Sequence, residues 1–304
     1  MRPRKAVIDV GSNSVLLLVA EHVDSFWVPI REASYVTALG AGTKQSGLLA
    51  EPNLSATLDA IAEAFGIARS LGAESIEALA TMAARIATNA PDFLARAEAQ
   101  GTPVSILSGD QEAELGFLAV ANDPEFASEA RISIIDVGGQ STELVTAQRT
   151  ATGWNTNFRK SFSIGTLALR GSALGESPNP GEILFASSAI DDVIGLNYSP
   201  GEAGKAIALG ATGTNLVTIR DRMETWDPKR VHGSWLDYEE VSKAVDWMMP
   251  MTDAQRREII GMEPGREKSL PTGALILERF LNAIGAGGCA VSVRGWRHAV
   301  LEQA

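Results

Sequence analysis

The chain has 304 residues, with 26 Lys+Arg against 37 Asp+Glu for a net charge of −11, 45% hydrophobic residues and a single cysteine, Cys289. That length and composition imply about two globular domains with cores of their own, and the acidic balance excludes bulk nucleic-acid binding. The longest aliphatic run, Val15 to Ala20, is too short to span a membrane, and one cysteine with three scattered histidines disfavours both a disulfide framework and a His-rich metal centre.

In chain order, residues 6–20 read as a strand, a tight Gly/Ser turn and a second strand. Asp9 and this turn also break the apolar run that a secretory signal needs, so the reducing cytoplasm is the expected location. Pro52 to Leu71 carries Leu54, Leu58, Ile61 and Phe65 at helical spacing, with Gly72 as its stop. A strand over 75–81, a helix over 91–100, a strand over 103–107 and a helix over 110–122 follow, the alternation of a mixed sheet covered by helices. After the polar stretch 122–129, residues 133–147 again read as two strands about a turn. A strand over 158–164, helices over 165–173 and 183–194, a strand over 205–208 and a helix over 214–225 come next. The remainder is helical over 238–249, 253–260 and 270–284, then a short strand over 290–293 and a last helix from Gly295. The expected domains are 1–125 and 126–304.

The two turns belong to a repeat. Residues 6–20 align without gaps to residues 133–147, with seven of fifteen pairs identical, among them Asp9/Asp136, Gly11/Gly138 and Ser14/Ser141. Buried strands reuse β-branched residues, but the whole Ile-Asp-Val-Gly-x-x-Ser string implies two similar halves. Each turn is explained locally as a Gly-rich hairpin with an Asp ending its strand. As a matched pair the turns have a further logic, two sets of backbone donors for phosphate with carboxylates for a metal.

Three other segments carry candidate chemistry. Ser108 and Gln111 fit a capping box, and acids in the first helical turn suit the macrodipole. The same position, a helix start after a strand, also suits a carboxylate among Asp110, Glu112 and their neighbours as a general base on water. Arg85 follows a strand; it is either a solvated charge or a phosphate clamp, for which a planar guanidinium is suited. The Gly/Thr turn over 208–215, containing Gly213 and Thr214, is a third place where a helix start could hold an anion.

Taken together, segments 8–14, 81–89, 108–115, 135–143, 163–165, 210–214, 231–233, 271–274 and 291–295 resemble, in order and spacing, the motifs of the exopolyphosphatase/guanosine pentaphosphate phosphohydrolase (Ppx/GppA) family in its short form, without a C-terminal HD-type region. The resemblance implies two RNase H-like domains of the acetate and sugar kinase, heat-shock cognate and actin superfamily, an α/β fold with an interdomain cleft. It implies Mg²⁺-dependent release of the terminal phosphate from inorganic polyphosphate, short chains in particular, or from pppGpp. By the same resemblance Glu112 is the general base and Asp136 and Glu143 are metal carboxylates. Phosphate falls to Gly11, Ser12, Asn13, Ser14, Arg85, Gly138, Gly139, Gln140, Ser141, Gly213 and Thr214. Expected partners are polyphosphate or guanosine penta- or tetraphosphate, with no nucleic-acid polymer and no membrane, and a homodimer is left open.

The chain departs from the family pattern at Gln140, where a third glycine is usual, and at Ile86, Glu114, Lys268 and Val293. These departures motivate an alternative, a catalytically impaired protein of the same fold that binds (p)ppGpp or polyphosphate. An ATP-dependent kinase or ATPase is a third reading, carried by fold analogy alone.

Overall fold

A computed structural model describes residues 2–24, 26–195 and 202–303. It divides into two compact units, Met1–Leu115 with Trp296–Ala304, and Gly116–Gly295. This differs from the expected division at 125/126. The dividing point falls inside the helix Gly109–Ala121, and the last helix, Trp296–Gln303, packs on the first unit's sheet. Polar loops mark boundaries in a sequence, whereas a helix shared by two units and a returning terminus leave no compositional trace.

The first unit is built on β1 (Arg4–Val10), β2 (Ser14–Val23), β3 (Phe26–Val36), β4 (Ser75–Ala80) and β5 (Ser105–Ile106), in the order β3-β2-β1-β4-β5. The first three strands are antiparallel, and β4 and β5 join parallel. The helix Glu51–Ser70 forms where its apolar stripe predicts, with Pro52 in its first turn and Gly72 left-handed just beyond its end. It lays Leu54, Leu58, Ile61 and Phe65, all buried, on β1 and β2, each such burial being worth about 1.5–3 kcal/mol.

In the second unit β6 (Arg131–Val137), β7 (Thr142–Thr150), β8 (Gly153–Phe162), β9 (Lys205–Leu209), β10 (Trp235–Asp237) and β11 (Gly288–Val291) are ordered β10-β11-β9-β6-β7-β8. With the short edge strand β10 set aside, this is the order of the first sheet. Both units thus have the RNase H-like arrangement. The helix Leu270–Ala283 is buried along almost its whole length. Gly273 lets it approach the helix Gly210–Arg220, since a Cβ there would lie 2.5 Å from Thr212 Oγ1.

The repeat runs further than the sequence suggested. With the offset that maps β1 and β2 on β6 and β7, β3 maps on β8, where Trp27/Trp154 and Ser34/Ser161 are the identities. Even the irregularity is copied: β2 and β3 shift register between Val19 and Ala20, and β7 and β8 between Thr146 and Ala147. Among the described residues no helix is long and apolar enough to cross a membrane.

Candidate functional site

In the first unit the turn Gly11–Ser14 is closed by the Gly11 N–H donating to the Ser14 carbonyl at 2.9 Å. The Ser12 carbonyl accepts from Gly40 N–H at 2.8 Å, and the Asn13 carbonyl accepts from Ala38 and Thr37 at 2.9 and 3.1 Å. A trans peptide points its N–H opposite its carbonyl. The Asn13 and Ser14 N–H groups are therefore aimed away from the 37–40 loop. Asn13 Nδ2 and Ser14 Oγ are buried with no hydrogen-bond partner among the described residues. Such groups cost free energy unless a ligand or water satisfies them, which is what a phosphate oxygen does.

The same unit holds Arg85 and the start of the helix Gly109–Ala121. The capping box is present: Ser108 N–H donates to Gln111 Oε1 at 2.9 Å, and Gln111 N–H to Ser108 Oγ at 3.2 Å. It fixes the first turn, and with it Glu112. Arg85 Nη1 donates to the Leu107 carbonyl at 2.7 Å and lies 3.3 Å from Glu112 Oε2. Both side chains are mostly buried, 22% and 13% exposed, so the pair is sheltered from the screening that makes surface ion pairs weak. Arg85 is therefore no solvated surface charge.

In the second unit the turn after β6 is closed in the same way, Gly138 N–H donating to the Ser141 carbonyl at 2.9 Å. Its carbonyls are tied back by the start of the helix Thr166–Ser172: Gly138 accepts from Thr166 at 3.0 Å, Gly139 from Leu167 at 2.8 Å. The Gly139 and Gln140 N–H groups face the other way for the same reason as in the first turn. Gln140 is 1% exposed, so its side chain does not stand out into solvent over the turn.

Asp136 and Glu143 lie directly opposite each other in the β6–β7 register, which brings their Cβ atoms to about 5 Å. Facing like charges destabilise a sheet unless a cation or proton is shared. Two oxygen ligands without nitrogen or sulfur suit a hard divalent ion that keeps water and substrate oxygens in its other positions, as Mg²⁺ does. Among the described residues no three His, Cys, Asp or Glu side chains gather as a complete protein ligand set.

Two expected residues sit elsewhere than in a turn. Gly213 and Thr214 lie within the helix Gly210–Arg220. A Cβ at Gly213 would come within 3.1 Å of Ala208 and 3.3 Å of Val291, so this glycine serves close helix–sheet packing. The Thr214 hydroxyl is 3.3 Å from the Ala211 carbonyl of its own helix. The turn itself is at Gly210, left-handed at φ 76°, where a Cβ would lie 3.0 Å from Asp136 Oδ1.

One residue escaped the sequence reading. Arg297, half-buried in the helix that packs on β1, β2 and β3, has its guanidinium pushed below the usual arginine value by burial, against the opposing pull of Asp9 and Glu32. Its only sequence signal was its place just after the Val291–Gly295 motif.

A family model described as the Ppx/GppA phosphatase family matches residues 18–304. The chain belongs to that family. It is 26% identical over 291 residues to "Exopolyphosphatase 2" of Mycobacterium tuberculosis, covering 91% of this chain and 89% of the relative. It is 28% identical over 218 residues to a "Guanosine-5'-triphosphate,3'-diphosphate pyrophosphatase" of Vibrio cholerae, covering 70% of this chain but 42% of that longer protein. Among solved structures, the Aquifex aeolicus family member aligns at TM-score 0.80 and 28% identity, covering 100% of this chain and 97% of the other. As a Ppx/GppA protein the chain is a hydrolase with the family's two-domain α/β fold.

Other Ppx/GppA motifs prove to be supports. His232 Nε2 lies 3.2 Å from Asp123 Oδ2, with Arg294 Nε 3.5 Å from the same oxygen. His232 Nδ1 is 3.4 Å from the Val293 N–H, so the two motifs are joined through one carboxylate. Burial of Asp123 opposes its ionisation, but the bonds from His232 and the Glu125 N–H hold it below the ordinary carboxylate value.

Proposed function

We propose that this Ppx/GppA protein releases the terminal phosphate of inorganic polyphosphate or pppGpp, with Glu112 as general base. The carrying observation is the Glu112–Arg85 pair at 3.3 Å in a capped first helical turn, in the unit that also bears the turn Gly11–Ser14. The relatives' names support the two substrate classes.

Glu112 takes a proton from water as the water oxygen bonds to the terminal phosphorus, and the bridging P–O bond to the next phosphate breaks. The proton then leaves Glu112 for solvent and inorganic phosphate departs. Arg85 orients the carboxylate and offers charge to a phosphate oxygen; Arg297 is a second guanidinium in the same unit. In each unit taken by itself, the N–H groups of Asn13 and Ser14, and those of Gly139 and Gln140, are the donors offered to phosphate oxygens, pre-oriented because the carbonyls of the preceding residues are already engaged. Asp136 and Glu143 would hold Mg²⁺, which when bound neutralises phosphate charge. A net charge of −11 disfavours gathering a long polyanion on the outer surface, so short polyphosphate or nucleotide is the favoured substrate.

The test is phosphate release with Mg²⁺ from tripolyphosphate, longer polyphosphates and pppGpp, by wild type and Glu112→Gln. Release lost in the variant supports the reading. Substrate binding by a folded wild type without release would select the regulatory alternative.

A further inference from the structure

We propose that the Ser161 hydroxyl is a positioning residue for the cation site of Asp136 and Glu143, and that the chain binds one divalent ion there. This rests on the reading of that acid pair given above.

Register carries the argument. Asp136 faces Glu143 on the next strand, and Glu143 faces Ser161 on the one after, so the three side chains form one line across β6, β7 and β8. Ser161 Oγ donates to Glu143 Oε1 at 2.6 Å, at the short end of the O–H···O range. Glu143 is only 5% exposed. A mostly buried carboxylate that is not held can rotate out of the line it shares with its neighbour. A hydroxyl donor on one oxygen opposes this by fixing the carboxyl plane and leaving the second oxygen for the ion. Outer partners of metal carboxylates act in this way.

The repeat supplies an internal comparison. The equivalent line in the first unit is Asp9, Leu16 and Ser34, in identical register. Aspartate and serine are kept and the central acid is replaced by an aliphatic side chain with no donor atom. The first unit therefore lacks the facing acid pair, and the expected stoichiometry is one ion per chain.

The experiment is calorimetric titration of the full chain with Mn²⁺ alone, without substrate, with circular dichroism melts to verify folding. Wild type should bind one Mn²⁺ per chain, Ser161→Ala should weaken that binding about tenfold or more, Ser161→Thr should restore it, and Ser34→Ala should leave it unchanged. Wild-type affinity in Ser161→Ala, with binding lost in Glu143→Gln, overturns the positioning role and leaves the acid pair as metal ligands. Two Mn²⁺ per wild-type chain overturns the single site. No Mn²⁺ bound by wild type, or undiminished binding in Glu143→Gln, overturns the metal reading and this inference with it.

Discussion

Arg85 and Glu112, on separate elements and 27 residues apart, share a hydrogen-bonded ion pair whose arginine is itself anchored on the Leu107 carbonyl. Under the proposed mechanism the base is thereby held by a group that also serves phosphate. Glu112→Gln is expected to lower kcat by about 10²–10⁴-fold, the range that general-base catalysis supplies, with little change in substrate binding. Arg85→Ala should raise KM as well as lower kcat, and the double variant should lose less than the product of the two. Steady-state phosphate release on all four proteins measures this coupling, and independent effects would separate the two residues.

Gly165 sets the shape of the second turn. A Cβ there would lie 2.5 Å from Gln140 N and 2.5 Å from the Gly139 carbonyl carbon, so the turn must move to admit it. Gly165→Ala is expected to cost about 1–3 kcal/mol in urea unfolding, the range for overpacking, and to raise KM for every phosphate substrate alike. An unchanged KM would show that the turn does not touch phosphate.

Asp123 gives the pH dependence a sign. Its folded-state pKa is depressed, so its stabilisation is fully present above the unfolded value of about 3.9 and is lost as pH falls through the folded value. Asp123→Asn should destabilise by about 1–3 kcal/mol at pH 7, and by much less near pH 3. Denaturant titrations at the two pH values check this, and an equal loss at both would place the cost in packing instead of charge.

Arg297 separates stability from function. Burial of its guanidinium outweighs what Asp9 and Glu32 return, so the charge adds little to folding. Arg297→Met should melt within a few degrees of wild type, yet bind pyrophosphate more weakly in calorimetry. Equal pyrophosphate affinity would assign the arginine to packing alone.

Much of this was legible because hydrophobic spacing and turn chemistry act locally. The stripe Leu54, Leu58, Ile61 and Phe65, the hairpin turns and the Ser108/Gln111 cap all lie where they were read. What escaped depends on distant partners. β3 and β8 present exposed residues along much of their length, so selection for a core leaves few identities, and the third strand of the repeat emerges only from register. Gly213 looked like a turn glycine because composition does not distinguish a left-handed bend from a helix pressed against Ala208 and Val291. Arg297 required the last helix to return to the first sheet, which no local pattern encodes.

The copied register shift, of the kind that a β-bulge produces, links the two halves beyond their sequence identities. Bulges are conserved features of a lineage, and this one occupies the same register step at Val19/Ala20 and at Thr146/Ala147. The matched register shift, with an aspartate and a serine at equivalent places and Leu16 set against Glu143, is the pattern that duplication of a three-stranded unit leaves. The two sheets differ in chemistry by side chains set on a matched strand pattern, and Leu16→Glu is the single exchange that would give the first unit the facing acid pair of the second.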